Sequence, residues 1–484
     1  METLRTDAVV IGSGPGGYLA GIRLGQLGKQ VIVVERRAVG GVCLNVGCIP
    51  SKALITAAKT FDKTRTAEKM GLIIDGARID VPRMQAWKGE IVDKLTSGVR
   101  QLIKGAGGKL LLGEGKIVRP GLVEVTTKDG VQPIEAGAIV IATGSRPIAV
   151  PGFTVDNERI LDSSGALALG AVPPRLVVIG GGYIGLELGI MWARLGAKVT
   201  VVEFTDQLLP GNDPELVQVV ARKMKKIGIE VHLRSKAKSW RDAGVEGQAR
   251  QGGQLQGPTA VEVTIETPEG ERQIACDKVL VTVGRRPNSD GAGIAEAGVA
   301  IDKKGFVTVD KQLRTNVPGI YALGDVAGQP MLAHKAYKEA HVVAEVIAGK
   351  PAEMDAQVIP AVIFTDPEIS SVGLSQPEAE KQGRKVRVGK FPFGALGRAM
   401  TQLETDGFVK LVADAETEEL LGVQIVGPGA SDLISEGTLA LEMGAYLPDL
   451  ALTVHPHPTL GEAVMEAAQA ALGECGHLVG GGKR

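Results

Sequence analysis

The stretch Gly12-Ser13-Gly14-Pro15-Gly16-Gly17 decides the fold of the first part of the chain. The apolar run Asp7 to Ile11 precedes it and is typical of a buried parallel strand. A second predicted strand, Gln30 to Val34, is followed by Glu35, 18 residues after Gly17. Glycines in a G-x-G-x-x-G turn let a pyrophosphate approach the start of the next helix, and an acid at this distance binds a ribose hydroxyl. Strand, turn, helix, strand and acid in this register predict a dinucleotide-binding domain.

The same pattern recurs 168 residues later in the chain. Arg175 to Ile179 is a predicted strand, and Gly180-Gly181-Gly182-Tyr183-Ile184-Gly185 is a second turn of the same kind. The next predicted strand, Lys198 to Val202, is followed by Glu203. The chain therefore carries two dinucleotide sites, unless one of them is a structural relic. No Arg cluster that would bind a 2′-phosphate directly follows Glu203, so the second site is predicted to take NAD(H) in preference to NADP(H).

A pair of cysteines follows the first dinucleotide motif, in Gly40-Gly41-Val42-Cys43-Leu44-Asn45-Val46-Gly47-Cys48-Ile49-Pro50-Ser51-Lys52. A disulfide between Cys43 and Cys48 would close a loop of only about six residues and would contribute little stability. This favours reversible redox chemistry over a structural bridge. Cys48 also directly precedes a predicted helix, Ile49 to Lys63, and helix N-termini favour the thiolate. The alternative is that both cysteines are buried structural thiols.

Composition narrows the class of protein. The chain has 484 residues, too many for one core, and its 55 acidic and 54 basic residues nearly cancel. No attraction to nucleic acid or to an anionic membrane is therefore expected. Four cysteines do not form an extracellular disulfide framework, and Cys276 and Cys475 are predicted to be incidental. No run of about 18 apolar residues predicts a membrane span. Residues 1–6 are too short and polar for a targeting peptide. A cytoplasmic protein is expected.

Several further segments lie between or after the two dinucleotide motifs. Ile139 to Pro147 is a predicted strand and turn that leaves the first domain, and Val279 to Arg286 is the equivalent exit from the second. Ala243 to Thr259 is rich in Gly, Gln and Arg and is predicted to be a solvated surface loop. Thr315 to Asp325 ends in an acid that is placed either to bind a polyol or to cap the following turn.

The last part of the chain predicts an α+β domain without a third dinucleotide turn. Its predicted strands and helices are Val358–Phe364, Val386–Phe393, Phe408–Ala413, Leu420–Val426, Ala430–Met443 and Leu460–Leu472. Near its end lies His455-Pro456-His457-Pro458-Thr459-Leu460-Gly461-Glu462. A carboxylate five residues after a histidine, across a helix start, can orient that histidine as a base. The alternative for His455 and His457 is a pair of surface histidines.

Together these motifs resemble the flavin-dependent pyridine nucleotide–disulfide oxidoreductases over nearly the whole chain, and most closely the members that oxidise dihydrolipoamide. The resemblance implies an α/β fold with two Rossmann-like dinucleotide-binding domains and a C-terminal α+β dimerisation domain. The implied domains are 1–149 for FAD and the redox disulfide, 150–284 for NAD, 285–350 completing the FAD site, and 351–484 for the dimer interface.

The resemblance also implies the site residues. Cys43 exchanges with lipoamide and is the more exposed thiol, Cys48 faces the flavin, and His457 with Glu462 is the base, supplied by the partner of a homodimer. Lys52 and Glu187 form an ion pair beside the flavin. The implied FAD site comprises Gly12, Gly14, Gly17, Glu35, Lys52, Gly115, Thr143, Gly144, Asp325 and Ala333. The implied NAD site comprises Gly180, Gly182, Gly185, Glu187, Glu203 and Gly284. No metal site is implied.

The implied partner carries a lipoyl group on another protein. It is a lipoylated acyltransferase of a 2-oxo acid dehydrogenase complex or the lipoyl carrier of glycine cleavage. Two alternatives remain open. Glu203 without an adjacent Arg pair argues against an NADPH-linked glutathione reductase, and the combination of Cys43, Cys48, His457 and Glu462 argues against a flavin-binding scaffold without activity. The chain departs from the family at Pro456, where Ala is frequent, and lacks the terminal cysteine pair of mercuric reductases.

Overall fold

The computed structural model describes residues 1–243 and 261–479. Its strands are β1 (Leu4–Ile11), β2 (Val31–Glu35), β3 (Lys109–Leu112), β4 (Glu114–Arg119), β5 (Leu122–Thr127), β6 (Gly130–Ile141), β7 (Ser145–Pro147), β8 (Ile160–Leu161), β9 (Arg175–Ile179), β10 (Lys198–Val202), β11 (Glu230–His232), β12 (Lys236–Asp242), β13 (Val261–Thr267), β14 (Gly270–Cys276), β15 (Lys278–Val281), β16 (Arg285–Pro287), β17 (Ile320–Ala322), β18 (Ala361–Ile363), β19 (Glu368–Gly373), β20 (Val386–Pro392), β21 (Phe408–Asp414) and β22 (Leu420–Gly427).

The α-helices are α1 (Pro15–Gln26), α2 (Gly41–Val46), α3 (Cys48–Thr66), α4 (Val81–Gly105), α5 (Ser163–Leu167), α6 (Tyr183–Arg194), α7 (Pro214–Lys226), α8 (Ala333–Ile347), α9 (Gln376–Lys381), α10 (Gly397–Thr401), α11 (Ala430–Glu442), α12 (Leu447–Leu452) and α13 (Glu462–Leu472).

The first sheet has the strand order β3-β2-β1-β6-β5-β4, and β17 pairs with β6 from much later in the chain. The apolar strands β1, β2 and β6 are parallel, and Ile11 lies opposite both Val34 and Ile141. The residues that follow these strands therefore meet at one edge of the sheet, where ligands of doubly wound folds bind. Because β17 joins this sheet, the turn that carries Asp325 is brought to the same edge.

The second sheet repeats this construction with the order β11-β10-β9-β15-β8. Ile179 lies opposite Val202 and Val281, so the carboxyl ends of its central strands also share one edge. An antiparallel sheet, β12-β13-β14, packs beside it, and buried apolar residues of the two sheets form one cluster. The predicted surface loop, Ala243 to Thr259, lies outside the described residues apart from its first residue.

The last domain is an antiparallel sheet with the order β18-β19-β22-β21-β20, covered by α11, α12 and α13. Every residue of β22 is buried, because helices and neighbouring strands enclose it. The α/β class with two Rossmann-like units and a terminal α+β domain is confirmed. The predicted first strand of this domain, Val358 to Phe364, is shorter in the structure, at Ala361–Ile363.

The cysteine segment differs most from the prediction. Gly41–Val46 forms the short helix α2, which the sequence did not predict, and α3 starts at Cys48 itself. The helical stretch Gly41–Met70 is long and apolar enough to cross a membrane by length and composition alone. Leu54 and Ala58 of α3 are fully buried in a core shared with α6, as expected for an internal helix of a globular protein.

Candidate active site

The two glycine turns are built alike. Gly12 and Gly180 have left-handed φ values of +107° and +103°. A Cβ there would lie 2.3 Å from the Ala142 carbonyl oxygen or 2.6 Å from that of Thr282. Only glycine allows the turn to approach the segment after the neighbouring strand, β6 or β15, this closely.

The N-termini of α1 and α6 are open to a ligand. Gly14 and Gly182 are their N-cap residues, neither helix has a side-chain cap, and a Cβ at either glycine would meet no atom within 4 Å. Free N–H groups beside open space fit the pyrophosphates of two dinucleotides. At the third glycines, Gly17 and Gly185, the helix instead crosses the turn closely. A Cβ there would lie 2.0 or 2.3 Å from the carbonyl oxygen of the first glycine of the same turn.

The two acids at the strand ends are each fixed by their own turn. Glu35 accepts hydrogen bonds from the Ser13 backbone N–H at 2.9 Å, the Ser13 hydroxyl at 2.7 Å and the Arg37 N–H at 2.8 Å. Glu203 accepts from the Gly181 N–H at 2.6 Å.

Thr205 completes the second set, donating from its N–H and its hydroxyl to Glu203, both at 2.7 Å. Both carboxylates are buried and held in place, with lone pairs left for ribose hydroxyls. Ser13 and Thr205 were not predicted as partners of these acids, although Ser13 lies within the first glycine turn and Thr205 follows Glu203 by two residues.

The two cysteines lie on consecutive helices that are separated by Gly47. Cys43 lies on α2, and Cys48 is the first residue of α3. Both are free thiols that interact with one another. The hydrogen bond from Cys43, assisted by the positive charge of Lys52, lowers the pKa of Cys48 to about 7, whereas the pKa of Cys43 is raised. Cys48 is therefore the thiolate of the pair near neutral pH.

The prediction that Cys43 is the more exposed thiol applies with the flavin beside Cys48 and stays a prediction, whereas the exposures in the chain alone are the reverse. Cys48 is exposed and Cys43 is half-buried. The reason is the packing of α2, because Leu44 is buried and Gly41 lies against the first glycine turn at Gly14. The remaining cysteines, Cys276 and Cys475, are buried away from the pair, and burial raises the pKa of Cys276 to about 12.

Lys52 and Glu187 form an ion pair, with Lys52 Nζ 2.9 Å from Glu187 Oε2. The Glu187 side chain is buried, and its other oxygen accepts the Phe364 backbone N–H at 2.9 Å. The Phe364 ring centroid lies 4.3 Å from Lys52 Nζ. Phe364 was not identified from the sequence, because no local pattern links it to the cysteine helix.

Asp325 lies in a 3₁₀ turn, Gly324–Val326, and accepts a hydrogen bond of 2.5 Å from the Ser145 hydroxyl. The turn is fixed from behind by a buried ion pair, Lys335 Nζ to Glu339 Oε1 at 2.7 Å. Glu339 also accepts the Gly324 N–H at 2.7 Å. This places Asp325 at the open edge of the first sheet, which suits a polyol ligand.

The remaining predicted cofactor residues surround the same two edges. Gly115 in β4 packs beside the ends of β1 and β2, where an added Cβ would lie 3.3 Å from the side chains of Ile11 and Val34. Thr143 and Gly144 follow β6 and are hydrogen-bonded to Asn288. Ala333 is the first residue of α8. Gly284 follows β15 with a φ of +131°.

His457 and Glu462 also form a pair, with His457 Nδ1 2.7 Å from Glu462 Oε1. They lie in the C-terminal domain, and within one chain no contact joins them to the cysteines in the described residues 1–243 and 261–479. A second pair, His455 Nε2 to Glu436 Oε1 at 2.8 Å, supports the same loop. Each histidine is therefore paired with a carboxylate, and His457 lies on the surface of the single chain whereas the side chain of His455 is buried.

Comparison with known proteins decides the family. The family model described as pyridine nucleotide-disulphide oxidoreductase matches residues 6–340, and the dimerisation domain of that family matches residues 359–468. The chain belongs to the pyridine nucleotide-disulphide oxidoreductases. The resemblance seen in the sequence is confirmed, and FAD and NAD(H) are the cofactors of this family.

Individual relatives are similar over their full length. The chain is 46% identical to the dihydrolipoyl dehydrogenase of Bacillus subtilis over 477 residues, which cover 98% of each protein. It is also 46% identical to that of Haloferax volcanii, again with 98% of each covered. Among solved structures, LpdA from Mycobacterium tuberculosis superposes with a TM-score of 0.86 at 27% identity, covering 96% of this chain and 99% of that one.

Proposed function

We propose that this oxidoreductase is a dihydrolipoyl dehydrogenase, which oxidises protein-bound dihydrolipoamide and reduces NAD⁺. The observation that carries the proposal is the Cys43–Cys48 pair, placed beside an open dinucleotide cradle with the Cys48 sulfur favoured as a thiolate. Relatives named dihydrolipoyl dehydrogenase that match along the entire chain support the same activity. FAD, when bound, takes the electron pair from the dithiol and passes it on as hydride to NAD⁺.

The cysteines carry the first half of the proposed reaction. In the oxidised protein Cys43 and Cys48 are joined, and a thiolate of dihydrolipoamide attacks Cys43 Sγ. The Cys43–Cys48 bond breaks as the bond from Cys43 to the substrate forms, and the electron pair leaves on Cys48. Its low pKa makes Cys48 the better leaving group, which speeds the exchange. The second substrate thiolate then releases Cys43 and closes the lipoamide disulfide.

His457 is the proposed base for both substrate protons. Its Nδ1 faces Glu462, so its Nε2 is left to accept a proton, and the carboxylate fixes the tautomer. The dimerisation domain supports a homodimer. In that dimer we place His457 of one protomer beside the cysteines of its partner, since a C₂ axis presents the same surface on both sides.

Glu203 is the proposed determinant of NAD⁺ over NADP⁺, and Lys52 and Glu187 are proposed to neighbour the flavin. The domain limits 1–149, 150–284, 285–350 and 351–484 and a cytoplasmic location remain part of the proposal. The lipoyl group is proposed to come from an acyltransferase of a 2-oxo acid dehydrogenase complex or from the glycine-cleavage carrier. A pull-down from lysate, probed for lipoylated proteins, identifies which.

The assay is NADH formation from dihydrolipoamide and NAD⁺, run beside NADPH oxidation by glutathione disulfide. We expect turnover only in the first reaction, and its loss in Cys43→Ser with FAD still bound. Turnover of glutathione disulfide with NADPH would replace the proposal by a glutathione reductase. An FAD-loaded protein inactive in both would indicate a scaffold.

A further inference from the structure

One face of α3, the helix that begins at Cys48, is held by the C-terminal domain. Lys59 Nζ and Lys63 Nζ lie 3.0 and 2.9 Å from the Glu404 carboxylate, and the Phe364 ring covers Lys52. Spacings of four and seven residues bring these three lysines to the same side of a helix. The domain that carries His457 is thus attached to the helix that carries a redox cysteine.

Of these three lysines, Lys52 is the closest to Cys48 in sequence, and the residue of the C-terminal domain that contacts it is Phe364. This residue follows β18 directly, so the C-terminal sheet sets its position. Its backbone N–H donates to one oxygen of Glu187, and Lys52 pairs with the other oxygen. The ring of Phe364 in turn lies 4.3 Å from Lys52 Nζ. The three groups therefore form a closed set in which each holds the other two.

We propose that Phe364 is a positioning residue, whose ring and backbone N–H hold the Lys52–Glu187 pair so that the Lys52 ammonium stays beside Cys48. Lys52 is four residues after Cys48 on one helix, which makes the two side chains neighbours. The C-terminal domain then acts on both sides of the thiol exchange. His457 accepts the substrate protons, and Phe364 holds the lysine that stabilises the leaving Cys48 thiolate.

The physical reason is the freedom of the lysine side chain. An ammonium on a four-carbon stem samples many rotamers unless its surroundings choose one. The Lys52 side chain is 32% exposed, so water competes for it. A cation is attracted to an aromatic face, so the ring favours the Lys52 rotamers that keep the ammonium over Phe364. Removing the ring leaves the ion pair but loosens it.

Several titratable groups act on Cys48 besides Lys52, and the test must separate them. They are Cys43, Tyr183, Glu187 and Tyr337. Of these, Cys43 lowers the pKa of Cys48 most, and Lys52 lowers it further. Substitution of Phe364 leaves each of these groups chemically unchanged. A shift in the pKa of Cys48 would therefore report a change in the position of Lys52 or Glu187.

The inference rests on the proposed role of Cys48 but needs no substrate for its test. The FAD-loaded protein is reduced by two electrons, and its long-wavelength absorbance, which reports a thiolate beside oxidised flavin, is followed on acidification. We expect Phe364→Leu to raise the midpoint of this titration by about half a pH unit, because a less constrained Lys52 ammonium stabilises the Cys48 thiolate less. Phe364→Tyr keeps an aromatic face and should restore the midpoint.

A matched control lies in the same domain. Lys390 Nζ sits 4.7 Å from the Phe408 ring and pairs with Glu215 instead of Glu187, so Phe408→Leu should remove this contact without changing the midpoint. In a Lys52→Met background, Phe364→Leu should cause no additional shift. An unchanged midpoint in folded, FAD-loaded Phe364→Leu would overturn the proposal, as would equal shifts in both leucine variants. Failure of dihydrolipoamide turnover alone would instead count against the proposed function.

Discussion

His457 Nδ1 lies 2.7 Å from Glu462 Oε1, yet 79% of the His457 side chain is exposed in the single chain. The carboxylate is held from its other side by the Thr459 N–H, 2.8 Å from Glu462 Oε2. Although burial alone would raise the pKa of Glu462, the hydrogen bonds from Thr459 and His457 lower it. The pair is therefore an ionised carboxylate orienting an imidazole whose far nitrogen faces outward, as a base for another chain requires.

Removal of this base should slow turnover strongly. His457→Gln keeps a polar side chain but cannot accept the substrate proton, so we expect turnover to fall by about two orders of magnitude or more. Glu462→Gln should cost less, because it disturbs the orientation of the base without removing it. Steady-state NADH formation measures both, and a larger loss in the Glu462 variant would reverse the assigned roles.

Coenzyme choice should depend on Glu203. Its carboxylate is buried and hydrogen-bonded in place, so it cannot move away from a 2′-phosphate dianion. We expect a strong preference for NAD⁺ in kcat/KM, weakened by Glu203→Arg. Glu35→Arg, at the equivalent acid of the first turn, should impair FAD retention and leave the ratio between the two coenzymes unchanged. Equal use of NADP⁺ by the unaltered protein would contradict the assignment.

The two cysteines should differ in spectrum and in reactivity. Cys43→Ser should retain the long-wavelength absorbance of a thiolate beside flavin, and Cys48→Ser should lose it. In the FAD-free protein, Cys48 should be alkylated before Cys43, because it is exposed and its pKa is about 7. Its alkylation rate should rise with pH through that value as the thiol ionises.

Binding of FAD should reverse this order, since a flavin beside Cys48 protects it and leaves Cys43 as the accessible thiol. Mass spectrometry of the labelled peptides, with and without FAD, measures both orders. Protection of Cys43 by FAD would exchange the roles of the two thiols.

The NAD domain and the C-terminal sheet are joined by a buried charge that should matter for stability. Lys410 Nζ lies 2.9 Å from Asp213 and 2.6 Å from Glu215, and its side chain is 2% exposed. Lys410→Met leaves Asp213 buried without its cation, which costs about 3–5 kcal/mol of unfolding free energy. Lys385→Met, at an ion pair on the surface, is the control and should leave the urea midpoint unchanged. Equal midpoints for the two variants would show that the buried cation is dispensable.

Local patterns made much of the site predictable. The glycine turns, Glu35 and Glu203 belong to local strand–turn–helix–strand patterns, so they were predictable from short stretches of sequence. The helix α2 was missed because it is only six residues long and is held by contacts outside the helix, among them the packing of Gly41 on Gly14 and the Asn45 side chain donating to the Val39 carbonyl.

Contacts distant in sequence were not predictable in the same way. Phe364 reaches Lys52 only because the C-terminal sheet packs on α3. The Tyr18 and Tyr337 hydroxyls, 2.9 Å apart, join the starts of α1 and α8. Neither tyrosine carries a local signal that points to the other.

The sharing of the active site between protomers is the most discriminating expectation. Cys43 lies in the first domain, whereas His457 lies in the domain that matches the family's dimerisation unit. That domain also exposes large apolar side chains suited to a subunit interface, namely Leu439, Met443, Leu452 and Val454. A C₂ dimer through this surface would give each site cysteines from one protomer and a base from the other.

Mixing two inactive variants tests this arrangement. Cys43→Ser chains and His457→Gln chains are unfolded together and reassembled, and the heterodimers are purified by different affinity tags. If sites are shared, each heterodimer holds one site with both lesions and one with neither, so about half of the activity per dimer should return. Homodimers of either variant, treated identically, are the controls and should stay inactive. Purified heterodimers without activity would mean that His457 serves the cysteines of its own chain, and the base would then have to reach them within one protomer.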